Sequence, residues 1–495
     1  MEQQQMFLDT ACFFIGQKRD TAIRIWEGSG WNGRLGLQTL ENRCLLEVDI
    51  ENNIDMHDHL RDFGKAVADA SLPRRLLYST AIKDMLEQLS NEQVSTVRGI
   101  RVVLGDYYDD VYASGGMDTL FDALDGIDRR TLELVDTDEN AILACILRKP
   151  VPSLIWLRWN KCPNLSLPWW IPMGRLRVLQ VYGSELKTLW EDESQVPWQV
   201  PLQLRELEIN APLSNIPKSI GWLEHLERIV VAGFLSGHVH LTKLPKEFCR
   251  LRSLRDLVLT ECSKMKSLPD SFCHLWNLQH IDLSFCCNLE RLPDSIGRLQ
   301  GLRHINLSYC HDLERLPDSI GRLRGLQHID LRGCHNLESL PDSFGELWDL
   351  PYSFGEPWDL RHINLSGCHD LQRLPDSFVN LRYLQHIDLQ GCHNLQSLPD
   401  GFGDLRNLDH VNLSNCHDLE WLPDSFGNLR NLQYIDLSGC HNLERLPNYF
   451  RNFNKLKYLD VEGCSNLIIE TIEITDNLPE AIKGIWNNYI NWQSP

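Results

Sequence analysis

No stretch of this sequence approaches the roughly 18 uncharged apolar residues that a membrane-crossing helix needs, so no membrane-spanning role is expected. A basic excess is missing too: 68 acidic residues face 48 basic ones, for a formal net charge of −20. Nucleic acids and anionic membrane surfaces carry the same sign, so neither is expected as a partner. The 16 cysteines include no CxxC pair, the clustered spacing that zinc sites use. Nowhere does a nucleophile–base–orienter set, a pair of catalytic carboxylates or a phosphate-cradling loop stand out. No catalytic residue is therefore nominated, and the chain is not expected to be an enzyme. The apolar run from Phe7 to Ile15 contains Asp9 and follows Glu2 and three glutamines rather than a basic segment. It reads poorly as a secretory signal. A reducing, cytoplasmic location is expected, with the nucleus as the alternative.

At 495 residues, the chain is too long for one compact core, which leaves several domains or an elongated array. A repeat decides for the array. One unit reads Leu302-x-x-Ile305-x-Leu307-x-x-Cys310-x-x-Leu313-x-x-Leu316-Pro317-Asp318-Ser319-Ile320-Gly321-x-Leu323. The frame restarts at Leu254, Leu278, Leu326, Leu360, Leu384, Leu408, Leu432 and Leu456, with weaker copies at Leu154, Leu176, Leu204 and Leu226. Ile305 and Leu307 alternate with polar neighbours, as in a strand with one buried face. Pro317 lacks an N–H and ends ladder pairing. Asp318 and Ser319 are expected to cap a short helical turn, which Ile320 and Leu323 hold on the core. One unit alone buries too little, so stacking is obligatory. The expected fold class is an α/β repeat solenoid, a leucine-rich-repeat horseshoe with parallel strands on the concave face. A small helical, winged-helix domain precedes it.

The expected organisation places a helical and winged-helix remnant at 1–72 and a connector with degenerate first repeats at 73–150. Irregular repeats follow at 151–244 and regular 24-residue repeats at 245–466, with a C-terminal cap at 467–495. Nine cysteines, Cys262, Cys286, Cys310, Cys334, Cys368, Cys392, Cys416, Cys440 and Cys464, lie 24 residues apart except for one interval of 34. That spacing predicts a buried column of reduced thiols. The long interval holds a duplication, PDSFGELWDL then PYSFGEPWDL within 341–360. It is expected to bulge from the outer face and leave strand register intact, with a docking loop bearing Trp348 and Trp358 as the functional alternative.

Outward strand positions form stripes. The first is His280, His304, His328, His362, His386 and His410, then Tyr434. The second is Asp282, Asn306, Asp330, Asn364, Asp388, Asn412 and Asp436. The third is mostly Ser, broken by Arg332 and Gln390. After each cysteine comes a second set, His311, His335, His369, His393, His417 and His441. Three readings stay open: a solvated face copied with its unit, a wall that binds a protein partner on the concave side, or a metal site. No metal ligand is nominated, since nothing makes one histidine pair special.

Before the repeats, Phe7 to Ile15 and Thr21 to Ile25 suit helices, and Leu45–Ile50 with Ile54–Met56 suit a small hairpin. That combination suggests a winged helix. It is not basic, so packing is a better role for it than DNA binding. Phe7-Leu8-Asp9-Thr10-Ala11-Cys12-Phe13-Phe14 is similar to the FLDIACFF motif of plant intracellular nucleotide-binding leucine-rich-repeat immune receptors, and Met56-His57-Asp58 matches their MHD motif. The chain resembles the C-terminal part of that family. The resemblance implies defence signalling, a protein ligand or pathogen effector as partner together with other receptor domains, and bound ADP or ATP held partly by the histidine at His57. The family's phosphate loop is absent from this sequence. No cofactor is therefore expected, and His57 alone is not expected to hold a nucleotide. The alternative is a leucine-rich-repeat scaffold or adaptor with no immune role.

Overall fold

The computed structural model describes residues 2–70, 155–233 apart from 161, 163–164, 168–173 and 191–201, then 239–346, 360–447 and 453–468. It also describes the backbone of strands at 74–78, 97–103 and 131–135. The chain divides into two compact units, Met1–Gly237 and His238–Pro495.

The first unit opens with helix α1 (Glu2–Asp9), which runs into a π-turn over Thr10–Phe14. Helices α2 (Arg19–Gly28) and α3 (Gly33–Asn42) follow. Asn32 caps α3 by accepting from the Leu35 N–H at 3.1 Å. Strands β1 (Glu47–Val48) and β2 (Ile54–Asp55) form the antiparallel hairpin, and helix α4 (Asp58–Ala70) leaves it. The helical motif is legible as packing: Leu8, Ala11, Cys12, Phe13 and Phe14 are all buried. Its Asp9 accepts a hydrogen bond from the Trp26 indole N–H at 3.2 Å, which explains a carboxylate inside an apolar run.

Parallel strands begin within the stretch expected to hold degenerate first repeats: β3 (Arg74–Tyr78), β4 (Val97–Val103) and β5 (Thr131–Val135) pair in order. They continue as β6 (Trp156–Asn160), β7 (Val178–Tyr182), β8 (Glu206–Asn210) and β9 (Arg228–Ala232). The three earliest strands precede the first recognisable Leu-x-x-Leu frame, at Leu154.

The second unit is the regular ladder: β10 (Asp256–Leu259), β11 (His280–Asp282), β12 (His304–Asn306), β13 (His328–Asp330), β14 (His362–Asn364), β15 (His386–Asp388), β16 (His410–Asn412), β17 (Tyr434–Asp436) and β18 (Tyr458–Asp460). Pairing is parallel throughout, in frame-to-frame register. Across the ten-residue insert the register is unshifted, His328 facing His362. The insert body with Trp348 and Trp358, most of the 73–150 connector and the proposed cap beyond 468 lie outside the described residues.

Leu302, Leu307, Cys310, Leu313, Ile320 and Leu323 are all fully buried, as are most of their counterparts; in the last unit Val461 and Cys464 are only partly buried. Each such aliphatic side chain contributes about 1.5–3 kcal/mol of transfer free energy. The turn after the proline is a 3-10 helix such as Asp318–Arg322. Contrary to the sequence expectation, Pro317 occupies its N-cap and no side chain caps it. The serines tie units together instead: the Ser343 hydroxyl donates to the Asp318 carbonyl at 2.6 Å, and Ser295 to Asp270 at 2.6 Å. These turns stack so closely that a Cβ on Gly321 would collide with the Ser343 carbonyl oxygen. A second, single-residue ladder, unforeseen from sequence, links Ser267, Arg291, Arg315, Ser339, Arg373, Ser397, Trp421 and Arg445 through successive parallel bridges.

Candidate functional site

Strand pairing brings the nominated histidines into one stack. His280, His304, His328, His362, His386 and His410 follow one another with ring centroids 4.1–5.8 Å apart, and Tyr434 and Tyr458 extend the stack at 4.0 and 4.4 Å. The second set, His311 to His441, stacks in parallel at 4.5–5.1 Å. Among the described residues, no group of three or more His, Cys, Asp or Glu is arranged to hold a metal ion.

Burial pushes the His304 and His328 imidazoles down to about 4, helped by neighbouring histidines and by Arg303 and Arg361 respectively. Burial also lowers His362, His386 and His410. These five imidazoles are therefore neutral at pH 7. A histidine depressed in the folded state stabilises fully above its ordinary value near 6.5 and loses that contribution as pH falls towards 4. The melting temperature is expected to drop through that window. His304→Gln with His328→Gln should flatten the drop, and equal slopes in parent and variant would refute the assignment.

The Asp/Asn stripe has a structural task that its sequence pattern conceals. Each Oδ1 accepts the backbone N–H two residues on: Asp282 from Ser284, Asn306 from Ser308, Asp330 from Arg332, Asn364 from Ser366, Asp388 from Gln390, Asn412 from Ser414 and Asp436 from Ser438, all at 2.9–3.0 Å. Asp and Asn satisfy this acceptor geometry equally, which accounts for their interchange between units. The serine stripe is corrected as well. Ser284, Ser308, Ser366 and Ser414 are buried under this turn rather than forming an open stripe.

The eight column cysteines Cys286, Cys310, Cys334, Cys368, Cys392, Cys416, Cys440 and Cys464 donate their thiols to the carbonyl of a leucine in the preceding unit, Cys310 to Leu283 at 3.3 Å and Cys334 to Leu307 at 3.2 Å, for example. Burial pushes Cys368 and Cys416 up to about 12. No disulfide joins cysteines among the described residues. Exposed Cys44 and half-buried Cys287 should therefore react first with a thiol reagent, and Cys310, Cys334, Cys392 and Cys416 only on unfolding. Rapid native-state labelling of this column, read by mass spectrometry, would contradict that.

Just past each strand the chain takes a left-handed step. Gly333, Gly367, Gly391, Gly439 and Gly463 make it at φ between +69° and +78°. Phe285 and Tyr309 make the same step at φ +60°, as do Glu261 at +60° and Asn415 at +58°. A bulky side chain in this region is strained by about 1–2 kcal/mol. The two aromatic rings stack on each other at 4.7 Å, Phe285 remaining 48% exposed. Beyond Tyr309 lies a trough of about 400 Å³ reaching to Asn415, lined by Arg332, Gln390, His335, His393 and His417. The Arg332 guanidinium sits 5.5 Å from the Tyr309 ring centre and 3.7 Å from Asp330.

In the first unit, the strand positions equivalent to the first histidine stripe are Trp156, Val178, Glu206 and Arg228. Here that face is occupied. Trp156 and Val178 share one hydrophobic core with Phe13, Phe14 and Trp26 of the helical domain. Phe14 packs on Trp156 at 5.6 Å between ring centroids. Glu206, with no exposed surface, receives the Arg24 guanidinium at 2.7 Å and the Thr21 hydroxyl at 2.8 Å. Arg24 also reaches Glu227 at 3.2 Å. Sequence reasoning missed this junction. Its signal was present: Trp156 and Val178 are apolar at the position where the later units place histidine.

His57 begins at the exposed N-terminal side of α4 and stacks on His59 at 5.2 Å. The described residues bring it together with none of the sheet-face residues nominated from sequence.

Residues 1–71 match the winged-helix domain of Roq1-like disease resistance proteins. Seven segments between 277 and 453 match the leucine-rich repeat. The chain is 29% identical to disease resistance protein RPV1 of Vitis rotundifolia over 261 residues, 47% of this chain and 18% of that one. It is 28% identical to disease resistance protein RPP2B of Arabidopsis thaliana, over 48% of this chain and 20% of that one. The chain thus matches about a fifth of the length of these relatives. The fold is also that of a solved chain from the Toll–Spatzle complex of Drosophila, with a TM-score of 0.52, 20% identity, and coverage of 78% of this chain and 50% of that one.

Proposed function

We infer that this chain, a winged-helix domain followed by leucine-rich repeats as in the C-terminal region of a plant disease-resistance receptor, is a non-catalytic recognition arm in defence signalling. The observation that carries this reading is the contrast between two stretches of equivalent strand face. At Trp156, Val178 and Glu206 the face is filled by the winged-helix domain. From His280 to Tyr434 it presents a continuous, half-buried aromatic stack. The preferred partner there is a pathogen effector protein, and other domains of a receptor would meet the winged helix.

The reading includes a cytoplasmic location and no nucleotide held by His57 on its own. To test it, the chain is joined to the nucleotide-binding part of a related receptor and co-expressed in leaves with a defined effector collection. Effector-dependent cell death, absent when residues 239–468 are replaced by an unrelated repeat array, is expected. A response that survives that replacement would refute the recognition role.

A further inference from the structure

The trough beside the aromatic pair has a composition that the repeat does not require. In the left-handed step after each strand, glycine is the unstrained residue, and five units of the second unit use it. Phe285 and Tyr309 keep bulky rings there, at φ +60°, stacked against each other rather than placed in the core. Backbone strain held at adjacent positions beside a cleft points to use of those side chains by a ligand.

The trough itself is pre-organised. The N–H groups of Gly333, Gly367 and Gly391 are each held by a carbonyl of the next unit, at 2.7, 2.6 and 2.8 Å. With no side chains on these residues, the floor is bare backbone. Tyr309 closes one end and Asn415 the other. Four steps of about 4.8 Å separate those ends, or about 19 Å, the length of about six residues of extended chain at 3.3 Å each. The Gln390 amide offers both donors and an acceptor, and neutral imidazoles such as His335 and His393, which burial keeps deprotonated, do the same. An extended peptide main chain needs that mixture. A polyphosphate or nucleic-acid strand needs several cations, and Arg332 is the one Lys or Arg among the described lining residues.

We propose that this trough binds an extended peptide of about six residues, with an aromatic or aliphatic anchor against Phe285 and Tyr309 and a neighbouring carboxylate at Arg332. This names the ligand class for the recognition role inferred above and rests on that reading.

The test pans a random heptapeptide phage library on the full chain and measures fluorescein-labelled winners by anisotropy. Enriched sequences are expected to place a large apolar residue within two positions of Asp, Glu or a free C-terminus. The double variant Phe285→Gly, Tyr309→Gly adopts the residue that neighbouring units use, so its melting temperature should hold or rise while affinity falls at least tenfold. Gly391→Asn, which copies the native Asn415 step, should also block binding by filling the floor. Arg332→Ser should abolish the preference for a carboxylate.

No enrichment over scrambled peptides would overturn the proposal. So would affinity that ignores the glycine double variant, or retention of neutral oligosaccharides in place of peptides. In the leaf assay, effector dependence that survives the same double variant places failure in the trough. Loss of effector dependence in the parent places failure in the recognition role itself.

Discussion

Arg24→Ala is expected to destabilise the first unit by about 3–5 kcal/mol, the cost of leaving a buried charge without its partner. Glu206 has no exposed surface, and burial already pushes its carboxyl up despite the Arg24 guanidinium at 2.7 Å. Arg228, at 3.9 Å, and Thr21 are too weak a substitute. Replacing both members by methionine should cost much less than either single change, because no uncompensated charge remains. Urea unfolding of the parent, both single variants and the double variant measures the cycle. A single-variant loss below about 1 kcal/mol, the range of an exposed pair, would mean that this junction does not bind the winged helix to the repeats.

The second large effect lies in the phenylalanine stack of the regular repeats. Phe344, Phe378, Phe402 and Phe426 are fully buried, with rings parallel at centroid distances of 5.7–6.4 Å. Phe402→Ala removes the ring between two others and leaves a cavity that flanking backbone cannot close, because each unit is hydrogen-bonded to the next. A loss of about 3–5 kcal/mol follows. Phe402→Ile should cost clearly less, since Ile296 and Ile320 fill the same position in earlier units. Equal losses for alanine and isoleucine would place the effect in something other than cavity formation.

The periodic part of the fold is legible from residues alone. Ile305 and Leu307 alternate with polar neighbours, and the fixed spacing of Cys286, Cys310 and Cys334 locates their column, because a repeat forces like residues into register. Three features are not legible in the same way. The role of Asp282 and Asn306 depends on a backbone N–H two residues on that only the turn presents. Asp318 fails as a cap because it is already the first residue of the turn, and the N-cap position is held by Pro317, whose side chain has no acceptor. The covering of Trp156 by Phe14 joins positions more than a hundred residues apart, across a contact that no local pattern encodes. Tyr309 is intermediate. The glycines at 333, 367 and 391 mark its position as a left-handed step, so its strain could be read by comparing units.

The most direct test of the recognition account is the affinity of an effector that triggers the leaf response, measured by surface plasmon resonance. The parent is compared with a His304→Ala, His328→Ala, His362→Ala triple variant whose circular dichroism is unchanged. Removal of three consecutive rings from the stack should weaken binding at least tenfold, about 1.4 kcal/mol. An unchanged dissociation constant would contradict the assignment of this face to the partner.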